Sequence, residues 1–487
     1  MLTLSENLRL LINESNRTIY KLAKDAGIER TLIHKVLKGE RVPSEDFVDK
    51  IAEALFLPPF ERAKLQKSYE ILKIGEFRYN QREQVKHLIE LIAQVEKDNG
   101  SFMERISLPP TQRTVLRDYA NSPAQVIVGQ HAVNNIVKGV IEEETLKNEI
   151  SRIDFIIPAK FQFFYDELSV NFLRDPTLNI RHIVELTKSG PGQGRENGNL
   201  TALLNIIKLV FVGGEGYAPY YVYSPASGAR VLTATPYFIV TSRHVILLSE
   251  ELDTAILGGN KDIIEYYSGF FRMALERATP LLHRVDSLYD LATYYLAIDR
   301  KGDSGTSCVI ESEPCIGSYI REELIDKKLA PELKHREEIK TLVAKHFENM
   351  RRVASSTTGI FSIAGLDYLL ETGHISGVPT SYYCPLDRGE IRGLILQYLG
   401  DVKQKGFSSF AVDPEKFMIP MFTSISIDKL SGVHFLTSTD ARFGTLYINE
   451  HSMVEAFDDF CSSIVKSGLV YSREETIGIL ENYLSRL

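Results

Sequence analysis

Two short amphipathic segments joined by one glycine constrain the N-terminal part of this chain more than any other feature. Residues 22–43 read LAKDAGIERTLIHKVLKGERVP. Gly27 suits the left-handed conformation that ends a helix, and Gly39 ends the next helix. Ala23 is small enough to let two helices cross closely, and Ile28 buries the turn between them. The segment therefore predicts two helices held at a fixed angle by a tight turn.

The second of these predicted helices has one apolar face and one cationic face. Leu32, Ile33 and Val36 recur at helical spacing and are expected to face the core. The positions left facing outward are Arg30, Thr31, His34, Lys35 and Lys38. Residues 17–41 contain seven basic and three acidic side chains, whereas the whole chain has a formal net charge of −8. A small cationic module is therefore attached to an acidic body.

The other patterns predict a multidomain chain in which an all-α five-helix domain precedes α/β regions. Apolar residues at helical spacing predict five helices within 1–72, and an amphipathic helix within 73–100 serves as a linker or a dimer seam. Beyond it, short β-rich runs alternate with helices. We expect an α/β sensor or effector domain over 101–290 and a second α/β domain, a candidate for dimerisation, over 291–487. The sequence shows no repeat of fixed period.

The spacing in the first domain resembles that of a known family. The pattern L-A-x-x-A-G-I-x-x-x-x-I-x-x-x-L-x-G-x-x-x-P, followed by FVDKIAEAL, is similar to the Cro/repressor-type helix-turn-helix of the XRE family of regulators. The resemblance covers roughly residues 4–57. It implies that the third helix enters the major groove of double-stranded DNA while the second helix holds it there.

The resemblance also implies which residues contact DNA. In this family the start of the third helix reaches base edges. There the guanidinium of Arg30 can pair with a guanine, and the methyl of Thr31 can contact a thymine. Glu29 replaces a more usual neutral residue. It either accepts from a cytosine, repels the DNA backbone, or pairs with Arg30 at the helix start. The predicted contact set, including the phosphate-binding positions before the second helix and after the third, is Arg17, Thr18, Glu29, Arg30, Thr31, His34, Lys35, Lys38 and Arg41.

Several function classes are disfavoured by what the sequence lacks. No run of 18 uncharged apolar residues occurs, and the first residues have neither the basic cap nor the apolar block of a signal peptide. We therefore expect a cytoplasmic protein that is not bound to a membrane. No HExxH motif occurs, and no histidine has the lysine two positions later that phospholipase D chemistry requires. The sequence thus predicts no metal, no cofactor and no catalytic residues.

A glycine-rich loop at 189–199 is the only ligand site that the sequence suggests. It joins a predicted strand to a predicted helix, a position where backbone N–H groups can bind an anion, but it lacks both common nucleotide-binding registers. An ordinary flexible loop is the alternative. The candidate residues are Gly190, Gly192, Gly194, Arg195 and Asn197.

These observations lead to one functional hypothesis and two alternatives. We expect a sequence-specific transcriptional regulator that binds a palindromic operator as a homodimer and responds to a small-molecule or protein effector. Dimerisation is expected because a single module buries too little surface for useful specificity. The first alternative is an enzyme or defence effector, with a nuclease or nucleotide-handling body, whose helix-turn-helix is autoregulatory. The second is a helical bundle that binds other proteins.

Overall fold

In a computed structural model the chain divides into two units, Met1–Gln84 and Val85–Leu487. The structure describes residues 2–98, 124–146, 151–175, 177–187, 198–224, 234–283, 287–299, 308–404, 407–439 and 442–487. The predicted regions 101–290 and 291–487 therefore fall within one unit, and the boundary near residue 290 stays a prediction.

The first unit, which is described from residue 2 onward, is helical throughout. Its helices are α1 (Leu4–Glu14), α2 (Ile19–Ala26), α3 (Arg30–Leu37), α4 (Glu45–Ala54), α5 (Pro59–Ile74) and the first part of α6 (Glu76–Asp98). Each of the first five buries at least one side chain almost completely in a shared core, and examples in chain order are Leu8, Leu22, Ile33, Ile51 and Leu65. The predicted five-helix domain is confirmed.

Local capping explains where these helices begin. The Thr18 hydroxyl accepts a hydrogen bond from the Lys21 N–H at 3.2 Å, and the Ser44 hydroxyl accepts one from the Phe47 N–H at 3.3 Å. Both bonds satisfy backbone donors that have no partner inside the helix. Pro59 occupies the first position of α5, where a missing N–H does no harm.

The amphipathic helix α6 runs across the boundary between the two units. Its apolar residues Val85, Leu88, Ile89 and Ile92 are fully buried in the core of the second unit. Near its end, the Glu96 carboxylate accepts hydrogen bonds from the backbone of residues 421 and 422 and from a threonine hydroxyl. The alternative that this face is a dimer seam is therefore wrong, because the chain covers the face itself.

The first sheet of the second unit contains eight strands among the described residues. They are β1 (Gln125–Val128), β2 (Arg152–Ile156), β3 (Asn179–Thr187), β4 (Tyr217–Ser224), β5 (Tyr237–Val240), β6 (Val245–Leu248), β7 (Thr254–Gly258) and β8 (Thr279–Pro280). The spatial order is β1-β7-β6-β5-β2-β3-β4-β8. Strands β2, β3 and β4 are parallel, and the others pair antiparallel.

The second sheet has seven strands in the part of the chain that is described. They are β9 (Leu282–His283), β10 (Cys308–Glu311), β11 (Thr358–Phe361), β12 (Ser408–Ala411), β13 (Thr423–Asp428), β14 (Gly432–Thr439) and β15 (Arg442–Ile448). The spatial order is β12-β11-β10-β13-β14-β15-β9. Strands β10, β11 and β12 are parallel, and β13 begins an antiparallel meander beside β10.

The two sheets share a topology. In each sheet, three parallel strands lie on one side, and a three-strand antiparallel meander starts beside the first of them. In the first sheet the parallel strands are β2, β3 and β4, and the meander is β5-β6-β7. In the second sheet the parallel strands are β10, β11 and β12, and the meander is β13-β14-β15. The sequence shows no fixed period because loops and helices of different length separate the corresponding strands. Both sheets contribute buried side chains to one hydrophobic core.

Helices alternate with the strands of both sheets. Those described in the second unit are α7 (Gln130–Thr145), α8 (Gln162–Arg174), α9 (Gly198–Gly213), α10 (Lys261–Leu275), α11 (Leu288–Asp299), α12 (Glu322–Lys328), α13 (Arg336–Val353), α14 (Ile363–Thr372), α15 (Arg388–Val402), α16 (His451–Ile464) and α17 (Arg473–Arg486). The predicted alternation of strands and helices is confirmed. Within the described residues, no helix is long and apolar enough to cross a membrane.

One short apolar run, residues 359–365 (GIFSIAG), is divided between a strand and a helix. Strand β11 ends at Phe361, and the Ser362 hydroxyl caps α14 by accepting from the Gly365 N–H at 2.9 Å. Short apolar runs do not distinguish a buried strand from the start of a buried helix.

Candidate functional site

The turn between α2 and α3 has the geometry that the sequence predicts. Gly27 is left-handed, with φ 64° and ψ 31°, and its N–H donates to the carbonyls of Ala23 and Lys24. The next N–H, that of Ile28, also donates to the Ala23 carbonyl, at 2.9 Å. These bonds close the end of α2 and fix the direction in which α3 departs.

Helix α3 is amphipathic, with a buried face slightly different from the predicted one. Ile33 and Val36 are buried as expected, but Leu32 is only half-buried and Leu37 completes the apolar face. Helical spacing places Leu37 one turn after Ile33, so the sequence contained this signal. Buried residues on one side leave the other side of α3 in contact with solvent.

Two side chains of α1 hold the C-terminal end of α3. The Ser5 hydroxyl donates to the Val36 carbonyl at 2.8 Å, and the Arg9 guanidinium donates to the Leu37 carbonyl at 2.7 Å. Carbonyls at a helix end have no partner within the helix, so both bonds fix α3 against α1. Sequence reasoning did not identify these positioning residues, although they lie one helical turn apart on the same face.

The N-terminal end of α3 presents polar side chains to solvent. Arg30 is the first residue of the helix, and its Nε lies 3.4 Å from Nε2 of His34, one turn later. Glu29 takes the N-cap position without a side-chain cap bond, and its carboxylate accepts from the Thr31 hydroxyl at 3.3 Å. The structure therefore pairs Glu29 with Thr31 and not with Arg30. Glu29, Arg30 and Thr31 are all exposed, and His34 is half-buried.

The predicted phosphate-binding residues differ in their exposure and in the contacts that they make within the protein. Lys38 and Arg41 are exposed beyond the end of α3. Lys35, which was predicted to reach base edges one turn after Thr31, is exposed on the helix itself. Lys38 approaches Glu40 only at 3.9 Å with both side chains largely in solvent, an arrangement that contributes little stability. These cations extend along the outward side of α3 and the loop after it.

Arg17 has partners within its own unit. Its guanidinium donates to Asp25 at 2.9 Å and to the Ala54 carbonyl at 2.7 Å, and it lies over the Phe56 ring. Thr18 uses its hydroxyl to cap α2. Arg17 and Thr18, which were both predicted to bind phosphates, thus have structural roles in the first unit.

The predicted ligand loop cannot be placed. Gly190, Gly192, Gly194, Arg195 and Asn197 all lie outside the described residues. Among the residues that are described, no group of three or more His, Cys, Asp or Glu side chains could hold a metal ion.

Comparison with known sequences agrees with this geometry. Residues 8–61 match the family described as helix-turn-helix. The N-terminal domain is therefore a helix-turn-helix domain, the class in which one helix is presented to the major groove. The resemblance to the XRE type is confirmed for this domain.

The chain as a whole also has remote likenesses to solved structures. None of the curated proteins matches it. Among solved structures, the chain is similar to TrmBL2, an archaeal chromatin protein with a novel mode of DNA binding. The identity is 13% and the TM-score is 0.25, and the match covers 57% of this chain and 99% of TrmBL2. It is also similar to polyphosphate kinase from Porphyromonas gingivalis, at 12% identity and a TM-score of 0.24, over 78% of this chain and 59% of the kinase. The chain therefore spans less than two thirds of the kinase, and neither TM-score defines its fold.

Proposed function

We propose that this protein is a sequence-specific transcriptional regulator that binds operator DNA as a homodimer and acts without a catalytic step. The observation that carries the proposal is the exposed polar and cationic face of α3, held by the Gly27 turn at one end and by Ser5 and Arg9 of α1 at the other. A helix must be held rigidly to place side chains against base edges.

Within this proposal, different side chains read bases and bind phosphates. Arg30 is the first helical residue and is exposed, so its fork can reach the O6 and N7 atoms of a guanine. Lys38 and Arg41 lie past the end of α3. In this proposal they bind phosphates. Base contacts specify sequence, whereas phosphate contacts add affinity for every sequence.

Binding titrations of the full chain on an operator and on a scrambled site, at several salt concentrations, test this division. Arg30→Ala should cost about 1–3 kcal/mol on the operator only. Arg41→Ala should weaken both sites and make the slope of log affinity against log salt shallower by about 1 per protomer. Arg62→Ala, which removes an exposed cation of α5, is the matched control and should change neither. Equal losses on both sites for Arg30→Ala would show that α3 lies across the backbone.

The outer face of α10 supports the dimeric part of the proposal. Tyr266, Phe270 and Met273 follow one another at helical spacing and are 68%, 44% and 58% exposed. Gly269 lies among them, and a side chain there would meet only the end of Arg272 at 4.0 Å, so another backbone can approach closely. Exposed apolar stripes of this kind mark interaction surfaces.

Charge along the same helix favours a second copy of the chain as the occupant. Residues 261–265 carry a net charge of −1, and residues 272–277 carry a net charge of +1. Two copies packed antiparallel through this face bring the negative end of each helix toward the positive end of the other. A two-fold symmetric interface requires such self-complementarity.

Sedimentation velocity of the full chain tests the dimer. Met273→Glu should shift the protein to the monomer and weaken operator binding. Leu430→Glu, at a 72% exposed leucine in the turn between β13 and β14, should leave the dimer intact. A wild-type monomer at the concentrations where the operator is occupied would rule out this assembly while leaving DNA recognition by α3 open to the titrations above.

A further inference from the structure

The second unit contains a cavity of about 240 Å³ that the sequence did not reveal. It lies between the second sheet, at strands β10, β13 and β14, and the helices α11 and α13. All its lining residues belong to one unit and come from segments that the structure describes. We call it the α11–α13 cavity.

The floor of the α11–α13 cavity is polar. Val309, Ser426 and His434 face one another in register on β10, β13 and β14. Glu311 follows Val309 on the same side of β10, and Ser424 precedes Ser426 on the same side of β13. The floor thus presents carboxylate and hydroxyl oxygens.

The opposite wall is largely apolar, and α13 also contributes His346, Asn349 and Arg352 to the lining. The apolar part is formed by Leu291, Ala292 and Tyr295 of α11 and by Val343 and Phe347 of α13. The Tyr295 ring stacks on His346 of α13, with centroids 4.5 Å apart, which joins the two helices at this wall. An apolar wall opposite a few polar groups is typical of sites for small organic molecules.

Oε1 of Glu311 and the hydroxyl oxygen of Ser431 are buried in this cavity and have no hydrogen-bond partner among the described residues. Ser431 as a residue is only 8% exposed. Leaving a buried polar atom without a partner costs about 1–3 kcal/mol. The neighbouring Glu313 is different, because its carboxylate accepts from the Ser312 hydroxyl and from the hydroxyl and N–H of Ser376. Glu311 and Ser431 therefore offer hydrogen-bonding capacity that Glu313 does not.

The backbone that carries Glu311 is held in place. The Ser312 carbonyl accepts from both the N–H and the hydroxyl of Ser362, each at 2.9 Å. Helix α14 packs so closely here that a Cβ on Gly365 would lie 1.9 Å from the Ser312 carbonyl oxygen. The site is therefore rigid before anything binds, which lowers the entropic cost of binding.

The chemistry of the lining selects one class of ligand. The floor offers mainly acceptors and includes the carboxylates of Glu311 and Asp428, so it suits a group that donates hydrogen bonds and carries positive charge. A metal ion does not fit, because the described residues contain no cluster of three potential ligands. We propose that the α11–α13 cavity binds a small organic cation, an ammonium or amidinium group on a compact apolar body, with the cation at Glu311 and the body against α11 and α13.

The protonation of Glu311 makes binding of a cation depend on pH. Burial, together with the charge of Glu313, raises the pKa of Glu311 to about 8, although a hydrogen bond from Cys315 opposes the shift. At pH 6 a bound cation therefore displaces a proton from this carboxyl, and affinity should rise between pH 6 and pH 8.5. The other titratable or charged groups lining the cavity are Tyr295, Glu313, Cys315, His346, Arg352, Asp428 and His434.

Isothermal titration calorimetry of the full chain with benzamidine and with benzamide tests the proposal. The two compounds have nearly the same shape, but only benzamidine is charged. Benzamidine should bind at least about tenfold more tightly, because charge-assisted hydrogen bonds are roughly twice as strong as neutral ones. Its affinity should increase from pH 6 to pH 8.5. Equal affinities, or no binding of either compound, would overturn the proposal.

Variants locate the binding. Glu311→Gln keeps the shape of the side chain and should remove the preference for benzamidine, whereas Glu323→Gln, an exposed acid on α12, should retain it. Ala292→Phe fills the cavity from α11 and should abolish binding of both compounds, although it leaves the Glu311 carboxylate in place. An unchanged benzamidine affinity in Glu311→Gln would refute the assignment of the cation to Glu311. Thermal unfolding of each variant verifies that it is folded. The titration contains no DNA, so the binding proposal and the proposed function can fail separately.

Discussion

Replacing Gly27 by alanine isolates the contribution of one backbone conformation to the helix-turn-helix. Gly27 has φ 64°, and a Cβ at this position would meet nothing within 4 Å. The cost of Gly27→Ala is therefore almost entirely the backbone strain of a left-handed residue. No neighbouring side chain has to move.

The magnitude follows from two opposing terms. A non-glycine residue in this conformation costs about 1–2 kcal/mol. Alanine also reduces the freedom of the unfolded chain, which returns about 0.4–1 kcal/mol. We expect a net loss of about 1 kcal/mol in the unfolding free energy of the first unit. Gly27→Asn should lose less, because asparagine tolerates this region better.

A second glycine provides a control of opposite sign. Gly478 is exposed in the middle of α17, without positive φ, and a Cβ there also meets nothing within 4 Å. Gly478→Ala should therefore stabilise its helix by about 0.5–1 kcal/mol. Hydrogen–deuterium exchange of the full chain, followed in peptides from α2, α3 and α17, reports both sites separately. If Gly27→Ala slowed exchange in α2 and α3, the left-handed turn and the direction it gives to α3 would be wrong.

Three further perturbations distinguish roles that the structure assigns. Arg17→Ala should destabilise the first unit by about 1–2 kcal/mol, because it removes an ion pair with Asp25 and a hydrogen bond to a backbone carbonyl. Arg41 is exposed, so Arg41→Ala should leave the midpoint of chemical denaturation nearly unchanged. Gly365→Ala should lower the unfolding free energy of the second unit by several kcal/mol, because the added Cβ clashes with the backbone. Gly377→Ala has open space around it and should cost about 0.5 kcal/mol or less. Comparable losses of stability for the two variants would exclude the close approach of α14. The raised pKa of Glu311, about 8, means that the folded state retains a proton that the unfolded chain loses above about pH 4.5. Wild-type stability should therefore fall from about pH 4.5 to pH 8, and Glu311→Gln should reduce this fall in urea unfolding at pH 5 and pH 8.

The helix-turn-helix could be predicted because its determinants are local. A left-handed glycine, a hydroxyl cap and an apolar stripe each act within a few residues, so Gly27, Ser44 and Ile33 are recognisable without knowledge of their neighbours in space. The positioning bonds from Ser5 and Arg9 were not recognised. They join residues 31 and 28 positions apart, and only the packing of α1 on α3 brings them together.

The same physical distinction holds in the second unit. Alternating apolar residues identified most strands, since side chains in a strand alternate between two faces. Strand order and the shared topology of the two sheets depend on pairings between distant segments, which local patterns do not encode.

The sequence by itself therefore determined the helix-turn-helix, the cationic outward residues of its third helix and the α/β character of the larger C-terminal part of the chain. Tertiary structure alone decided that Arg17 is held by Asp25 and that α6 is covered by its own chain. It also placed Glu311 and Ser431 in one cavity although 119 residues separate them in the sequence. Such a site forms only when strands β10, β13 and β14 become neighbours, because strand pairing, and not residue spacing, sets which side chains share a face.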